Sequence, residues 1–167
     1  MGYNDGVTAT NLETPFDLLG GREATLRLAR RFYEVMERDE PALTAAHRRA
    51  PEGSGIDPEV KERFALFLVG WLGGPQDYVE RHGHPRLRMR HHRVAIDESQ
   101  RDAWLRCMQK AMDDCAITGP VRRFLDQRFA EVADFLRNRP SSGQTARPSI
   151  IGGGEQQAEA EGEPVDR

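Results

Sequence analysis

Apolar residues recur at every third or fourth position in four long stretches of this chain, and glycine or proline lies near the ends of most of them. Such spacing places the apolar side chains on one face of an α-helix, so each stretch is predicted to form an amphipathic helix. No segment alternates apolar and polar residues as a half-buried strand would. We therefore expect an all-α fold whose core forms between these faces. The faces, in chain order, are Leu26, Ala29, Phe32, Tyr33 and Met36; Val60, Phe64, Phe67, Leu68 and Trp71; Trp104, Met108, Ala111, Met112 and Cys115; and Val121, Leu125, Phe129, Val132 and Leu136.

Capping residues predict a short first helix ahead of these stretches. Thr14 precedes Pro15 and lies three residues before Asp17, which is the pattern of a capping box with proline at the first helical position. The Gly20-Gly21 pair that follows is a typical helix end. The first helix is therefore expected to be only about one turn and a half long.

A second capping signal lies before the third long stretch, where Asp97 is followed three residues later by Gln100. This spacing predicts a reciprocal capping box at the start of that helix. Elsewhere the pattern is weaker. A helical turn is expected over residues 41–47, a loop over residues 48–55, and irregular structure over residues 75–96.

Composition divides the chain into one domain and two tails. Residues 14–139 are long enough to form a single domain with its own core. Residues 140–167 are rich in Gly, Ser, Glu and Gln, and they offer too little apolar surface to offset the entropy lost on ordering. We expect this tail to be disordered, and residues 1–13 as well.

Charge and hydropathy exclude several classes of function. The formal net charge is −3 at pH 7, which argues against general nucleic-acid binding. No run of about 18 apolar residues could span a membrane, and residues 1–13 lack the basic start and apolar run of a secretory signal. We expect a cytoplasmic protein that partners neither nucleic acid nor membrane. No HExxH, Walker, GxSxG or CxxC motif occurs, so the common zinc, nucleotide and serine-hydrolase sites are not indicated.

One segment, residues 81–93 with the sequence RHGHPRLRMRHHR, concentrates four histidines and five arginines. Its composition fits three interpretations. One histidine could bind a haem iron while arginines neutralise the propionates. The segment could instead bind a polyanion, or it could be solvated surface without a specific task. Composition alone does not choose among them.

The aromatic residues of the helical faces favour the haem interpretation. A porphyrin is flat and largely apolar, so it needs a wide apolar slot. Most of these residues are also explained as ordinary core residues, Phe67 and Leu68 especially well. Tyr33 and Trp104 are less well explained in that way, because a buried hydroxyl or indole N–H needs a hydrogen-bond partner, which a gas ligand on iron would supply.

Longer motifs carry a family resemblance. The block GGPQDYVERHGHPRLRMRH at 73–91 and the block DESQRDAWLRCM at 97–108 resemble the truncated haemoglobins of the second class, as do RRFY at 30–33 and FAEVADFLRNR at 129–139. The resemblance covers residues 16–139. It implies a globin-like two-over-two helical sandwich that binds a b-type haem (heme b) through its iron.

Site residues follow from the resemblance by motif position. It implies that His91, which ends the HPRLRMRH motif, is the proximal iron ligand; the adjacent His92 is the rival. Tyr33 matches the distal tyrosine that donates a hydrogen bond to bound oxygen, and Trp104 matches a tryptophan whose indole N–H faces the same pocket. His47 falls where the family carries an aromatic residue or histidine.

Further positions match residues that contact the haem. Val60, Phe64 and Phe67 match apolar positions of the distal helix. Arg90 is placed to meet a propionate, and Tyr78 is a second candidate for the same contact. The sequence departs from the family after the ligand: residues 92–95 read HRVA where the family carries a small residue, a proline and an aromatic residue.

The resemblance implies reversible binding of oxygen, nitric oxide or carbon monoxide at ferrous iron, with oxygen binding or transport as the role and no dedicated enzymatic activity. The alternative is a haem enzyme for nitric-oxide dioxygenation or peroxide chemistry. That alternative needs a separate reductase, because the chain carries no flavin or nicotinamide motif. A third interpretation is a haem-free helical module that binds polyanions. The protein is expected to be a monomer or homodimer.

Overall fold

The computed structural model describes residues 12–53 and 55–140, which contain eight α-helices and, apart from an isolated bridge between Arg49 and Ile56, no β-structure. The all-α prediction is confirmed. Within the same ranges no helix is both long and apolar enough to cross a membrane. The expected disorder of residues 1–13 and 140–167 falls almost entirely outside the described ranges. The helices are α1 Pro15–Leu19, α2 Gly21–Asp39, α3 Pro41–Ala45, α4 Pro58–Trp71, α5 Asp77–His82, α6 Leu87–His91, α7 Glu98–Asp114 and α8 Gly119–Leu136.

The predicted capping box of α1 is complete. The Thr14 hydroxyl accepts a hydrogen bond from the Asp17 backbone N–H at 3.2 Å, and the Asp17 carboxylate accepts one from the Thr14 backbone N–H at 3.0 Å. The box predicted for α7 is only half formed. Asp97 accepts from the Gln100 N–H at 3.0 Å, but the Gln100 side-chain oxygen is buried without a partner, so that prediction was wrong in its second half.

The helices pack as two pairs. α2 is the central helix and lies against both α4 and α7, while α8 packs on α7. The two apolar faces of α2 and α7 bury Leu28, Phe32 and Met108 almost completely. Trp71 of α4 stacks on Phe129 of α8 with ring centroids 5.2 Å apart, which closes the second side of the sandwich. The two-over-two arrangement expected from the resemblance is present.

Residues 75–96 differ from the sequence prediction, because two short helices, α5 and α6, replace the expected irregular segment. α6 is only five residues long and follows Arg86, which has a left-handed backbone (φ 44°, ψ 52°) that non-glycine residues seldom adopt. So short a helix is not stable by itself. Contacts with α8 therefore set its position.

Those contacts centre on Asn138, just beyond the end of α8. Its side-chain amide donates to the backbone oxygens of His91 at 3.3 Å and Val94 at 2.9 Å, and its carbonyl accepts from the Ile96 N–H at 3.0 Å. One side chain thus ties the C-terminal end of α6, and the chain that follows it, to α8.

Candidate functional site

A cavity of about 390 Å³ lies between α2, α4, α7 and α8, with α5 and α6 along one side. The volume is within the range usual for ligand sites. The lining positions on each long helix are spaced by about one helical turn, so they lie on one face of that helix. α4 contributes positions 60, 63, 64, 67, 68 and 71, and α8 contributes positions 129, 132, 133 and 136. The aromatic side chains in the lining are Tyr33, Phe64, Phe67, Trp71, Tyr78, Trp104 and Phe129.

His91 reaches this cavity from α6. Its Nδ1 lies 2.8 Å from the backbone oxygen of Leu87, one turn earlier. A carbonyl oxygen can only accept, so Nδ1 carries a proton, and in the neutral ring Nε2 then keeps its lone pair. This is the arrangement in which protein histidines bind metals, with the second ring nitrogen fixed by a backbone carbonyl.

The rival histidine lies elsewhere. His92 is exposed, its Nδ1 is bonded to the backbone oxygen of Met89, and it borders a surface depression instead of the cavity. Of the four histidines at positions 81–93, His91 alone lines the cavity. The geometry therefore favours His91 over His92 as the residue able to hold a metal-bearing ligand here.

Tyr33 of α2 brings a hydroxyl donor to the cavity wall. Its side chain is 4% exposed, and within the described residues its hydroxyl has no hydrogen-bond partner. Burial, together with the nearby Glu37 carboxylate, raises the pKa of Tyr33 well above its ordinary value. The phenol therefore stays protonated and able to donate. Because Tyr33 lines the cavity, a ligand there could accept a hydrogen bond from this hydroxyl.

Trp104 of α7 is the second donor. Its ring packs between Phe32 and Phe129, with centroid separations of 5.1 and 5.7 Å. The indole N–H has no hydrogen-bond partner among the described residues, although Trp104 lines the cavity. An indole can only donate, so the cavity offers two unsatisfied donors from two different helices.

His47, which follows α3, lies next to Tyr33 with ring centroids 5.9 Å apart and planes at 88°. Its Nδ1 lies 2.8 Å from the backbone oxygen of Leu43, so Nδ1 carries the proton and Nε2 is an acceptor. Burial lowers the pKa of His47 below its usual value, which favours this neutral form. His47 thus lines the cavity with an acceptor nitrogen beside the Tyr33 donor.

Basic side chains surround part of the cavity. Arg48, Arg63, Arg90 and Arg101 are all in the lining. The Arg63 Nη2 pairs with Glu59 at 2.5 Å, but its Nε is buried with no partner in the part of the chain that the structure describes. The Arg90 Nε donates to the backbone oxygen of Pro85 at 2.9 Å, which leaves its Nη atoms for other contacts.

Arg63, Gln100 and Arg101 also line the cavity, although none of them was predicted to do so. A signal was present: Arg63 lies three residues after Val60, on the apolar face of α4, where a solvated arginine would not be expected. Gln100 and Arg101 likewise lie one turn before Trp104. A polar residue on an otherwise apolar face marks a ligand-facing position.

The loop between α3 and α4 closes one end of the cavity. Glu37 of α2 accepts from the Ile56 backbone N–H at 2.7 Å and pairs with Lys61 of α4 at 2.8 Å. Hydrogen bonds from Lys61 and Ile56 hold the pKa of Glu37 below its usual value, although burial opposes them. This carboxylate fixes the loop beside Tyr33 and Val60.

These features fit a haem. A planar apolar group needs aromatic walls; an iron needs one imidazole with a free Nε2; two propionates need cations at the rim. The cavity provides all three. Two lining residues, Arg63 and Gln100, also hold a buried polar atom, the Arg63 Nε and the Gln100 oxygen, that has no partner among the described residues, which is unusual in a folded protein.

The fold and this site define the class of protein, a globin. The profile of the bacterial-like globin family matches residues 14–138, and the chain belongs to that family. The structure superimposes on the group II truncated haemoglobin of Bacillus anthracis with a TM-score of 0.71 and 34% identity, covering 79% of this chain and 96% of that one. A truncated oxygen-avid haemoglobin from Bacillus subtilis gives a TM-score of 0.67 and 34% identity, covering 75% of this chain and all of that one. Membership of the second class of truncated haemoglobins is thereby confirmed.

Curated sequences agree over a shorter span. A group 2 truncated haemoglobin of Bacillus subtilis is 45% identical over 81 residues, which is 48% of this chain and 61% of the relative. A two-on-two haemoglobin of Arabidopsis thaliana is 30% identical over 100 residues, 59% of this chain and 54% of the relative. These alignments span less than two thirds of either relative.

Proposed function

We propose that this protein binds oxygen reversibly at a ferrous b-type haem, with His91 as the iron ligand. The observation that carries the proposal is the pairing, in one cavity, of a His91 ring whose Nε2 lone pair is free with the unsatisfied donors of Tyr33 and Trp104. Bound haem would supply the iron that coordinates the gas, and the protein would supply the iron ligand, the hydrogen-bond donors and the apolar walls. The structurally similar Bacillus subtilis protein is described as oxygen-avid, which supports the choice of ligand.

Each residue has a distinct task in this proposal. Leu87 orients the His91 ring through its backbone oxygen. Tyr33 and Trp104 donate hydrogen bonds to the gas ligand, on which negative charge develops. We propose that His47, whose ring lies edge-on against that of Tyr33, helps to orient the Tyr33 side chain toward the ligand. The apolar side chains of Val60, Phe64 and Phe67 exclude water from the porphyrin.

The direct test is a spectrum of the purified ferrous protein during cycles of oxygenation and deoxygenation. We expect an intense Soret band that shifts with oxygen and returns when the gas is removed. A colourless protein that cannot be reconstituted with haem would contradict the proposal at its first step. Immediate oxidation to the ferric form on contact with air would contradict reversible binding.

Nitric-oxide dioxygenation is the second candidate, favoured by the same two donors, since a hydrogen bond that holds oxygen also polarises it. This activity consumes nitric oxide with turnover and needs a separate reductase. Repeated turnover in the presence of an electron donor would favour the enzyme. A single stoichiometric reaction followed by accumulation of ferric protein would favour oxygen binding alone.

Arg63 and Arg90 are proposed to bind the propionates, with Tyr78 as an additional donor. Exposed ion pairs contribute on the order of 1 kcal/mol or less, so Arg63→Met or Arg90→Met should speed haem loss several-fold at most, and the double variant should be faster still. Transfer of haem to apomyoglobin measures the rate. Arg123→Met, an exposed arginine of α8 outside the cavity, is the matched control and should match the wild type.

Asn138→Ala should loosen the proximal side, because three hydrogen bonds to residues 91, 94 and 96 are lost together. Each hydrogen bond contributes about 1 kcal/mol, but Asn138 is exposed, so water replaces part of the lost hydrogen bonding. We therefore expect the free energy of unfolding to fall by about 1–2 kcal/mol. Urea unfolding measures it, and haem transfer should be several-fold faster. Gln127→Ala removes a hydrogen bond to Glu131 on the same helix and is the control. Equal effects of the two substitutions would show that Asn138 has no special role in holding α6.

A further inference from the structure

A second basic feature lies on the outer side of α6. Arg88 and His92 of the α6 segment and Arg139 beyond α8 border a surface depression of about 320 Å³, whose remaining lining is Leu136 and Asn138. We call these five residues the α6–α8 surface. Arg88, His92 and Arg139 are exposed. None of the three takes part in the cavity that fits the haem.

The charges of this surface have no partner within the described residues. Most other arginines are neutralised: Arg31, Arg101 and Arg122, for example, each contact two or more carboxylates. Arg88 and Arg139 form no ion pair within the described ranges. Residues 83–96 contain no Asp or Glu at all. The absence of acidic residues from this stretch leaves the α6–α8 surface locally basic in a chain whose formal net charge is −3.

The surface also has the apolar character of a protein interface. The Arg88 guanidinium lies over the ring of Phe135, 4.6 Å from its centroid, which holds the side chain in place. Phe135 is 52% exposed, and Met89, the next residue along α6, is 53% exposed. Protein interfaces are enriched in Arg, Met and Phe, so the exposed apolar side chains beside these charges favour a protein as the occupant.

The surface is directly connected to the proposed iron ligand. Arg88 lies on the same short helix as His91, and His92 follows it directly. Asn138, in the lining of the depression, donates a hydrogen bond to the His91 backbone oxygen. A molecule bound here lies against the proximal side of the site, within a helical turn of the residue that would hold the iron. A short distance between a bound electron donor and the iron is what electron transfer requires.

We propose that the α6–α8 surface is the docking site of a small acidic electron-transfer protein that keeps the haem iron ferrous. This inference rests on the proposed haem function. The reduced donor gives one electron to ferric iron, which becomes ferrous, and the donor is oxidised by one electron; no proton or group is transferred. Acidic side chains of the donor pair with Arg88 and Arg139, and its apolar contacts cover Phe135 and Met89.

The test is stopped-flow reduction of the full-length ferric holoprotein by a reduced plant-type [2Fe–2S] ferredoxin, an acidic electron carrier. Electrostatic steering changes association rates by 10- to 1,000-fold. At an ionic strength of about 20 mM we expect the double variant Arg88→Glu/Arg139→Glu to be reduced at least about tenfold more slowly than the wild type. The difference should vanish near 0.5 M salt, because charges are then screened within about 4 Å.

Controls separate this proposal from the haem function itself. The Soret band of each variant, and its ferrous spectrum after excess dithionite, report whether haem is bound and reducible; their loss in the wild type would refute the proposed function instead. Arg88→Gln/Arg139→Gln keeps the shape of the surface and should give an intermediate rate. Arg123→Glu, on the same helix as Phe135 but about 18 Å away along the axis, should reduce at nearly the wild-type rate.

Three results would overturn the proposal. If Arg123→Glu slows the reaction as much as the double variant, net charge and not this surface governs the rate. A second result concerns the chain's own acidic segment, tested by changing four glutamates to glutamine: Glu155, Glu159, Glu161 and Glu163. If this change speeds reduction as much as Arg88→Glu/Arg139→Glu slows it, that segment occupies the surface. If a single-stranded oligonucleotide binds the wild type tightly at 150 mM salt and not the double variant, the occupant is a polyanion.

Discussion

His91→Ala is expected to lose most of the Soret absorbance, while His92→Ala keeps a normal spectrum. The two histidines are adjacent and chemically equivalent, so the contrast depends only on where the fold puts them. His91 lines the cavity with its Nδ1 bonded to Leu87 and its Nε2 lone pair available. His92 is exposed and borders the outer depression. Visible spectra of the two variants, expressed with the same haem supply, are the measurement.

Imidazole provides the control for this experiment. His91→Ala leaves a gap of ring size beside the haem position, which a free imidazole molecule can fill. Added imidazole should restore part of the Soret band in His91→Ala and change His92→Ala little. If His92→Ala loses the band while His91→Ala retains a normal spectrum, the ligand assignment is wrong. If both retain it, haem is held by a residue outside this segment.

The helices were predictable because their signals are local. Thr14 and Asp17 form the box that their spacing predicted, and the apolar faces on α2, α4, α7 and α8 are the faces that pack. Two features were not predictable in this way. α6 is a five-residue helix that depends on Asn138, which is more than 40 residues away along the chain. Arg86 adopts a left-handed backbone that nothing in its own sequence requires.

The candidate site was predicted unevenly for a related reason. A helical face assigns apolar residues to the interior, so Val60, Phe64 and Phe67 were named, and motif position added Tyr33 and His91. The same reasoning predicts that arginine and glutamine are exposed to solvent, which is why Arg63 and Gln100 were not predicted as cavity residues. Their placement depends on how α4 and α7 pack around the cavity, which no rule based on one helix alone describes.

Gln100 illustrates the point most directly. Its position three residues after Asp97 predicted a reciprocal capping box, yet only the Asp97 half is formed. The Gln100 carbonyl oxygen is left buried in the cavity lining without a partner. Local capping rules describe a helix in water, whereas this helix begins at the wall of a ligand cavity, and the side chain is oriented by that cavity.

The distal donors give the prediction with the largest kinetic effect. Tyr33 and Trp104 each present a donor that no described protein group satisfies. A hydrogen bond to a ligand that carries partial charge is worth about 1.5–3 kcal/mol, and 1.36 kcal/mol corresponds to a factor of ten in rate. Removing both donors should therefore raise the oxygen dissociation rate by at least about two orders of magnitude. Stopped-flow ligand replacement measures that rate.

The single variants should each show less than half of this effect on a logarithmic scale, because the two donors share one acceptor and the remaining donor compensates. Tyr33→Phe and Trp104→Phe keep the aromatic packing, so Phe64, Phe32 and Phe129 retain their ring contacts. Strict additivity of the two logarithmic changes would show that the donors act on the ligand independently.

Two controls test whether hydrogen bonding causes the slow release of oxygen: the dissociation of carbon monoxide and the variant Tyr78→Phe. Carbon monoxide accepts hydrogen bonds poorly, so its dissociation should respond far less to the double variant than that of oxygen. Tyr78→Phe removes a hydroxyl from the same cavity lining at a position proposed to meet a propionate, and oxygen dissociation should remain close to the wild-type rate. Equal acceleration of oxygen and carbon monoxide release would mean that Tyr33 and Trp104 obstruct the ligand's exit by their size. The two unsatisfied donors would then need another explanation.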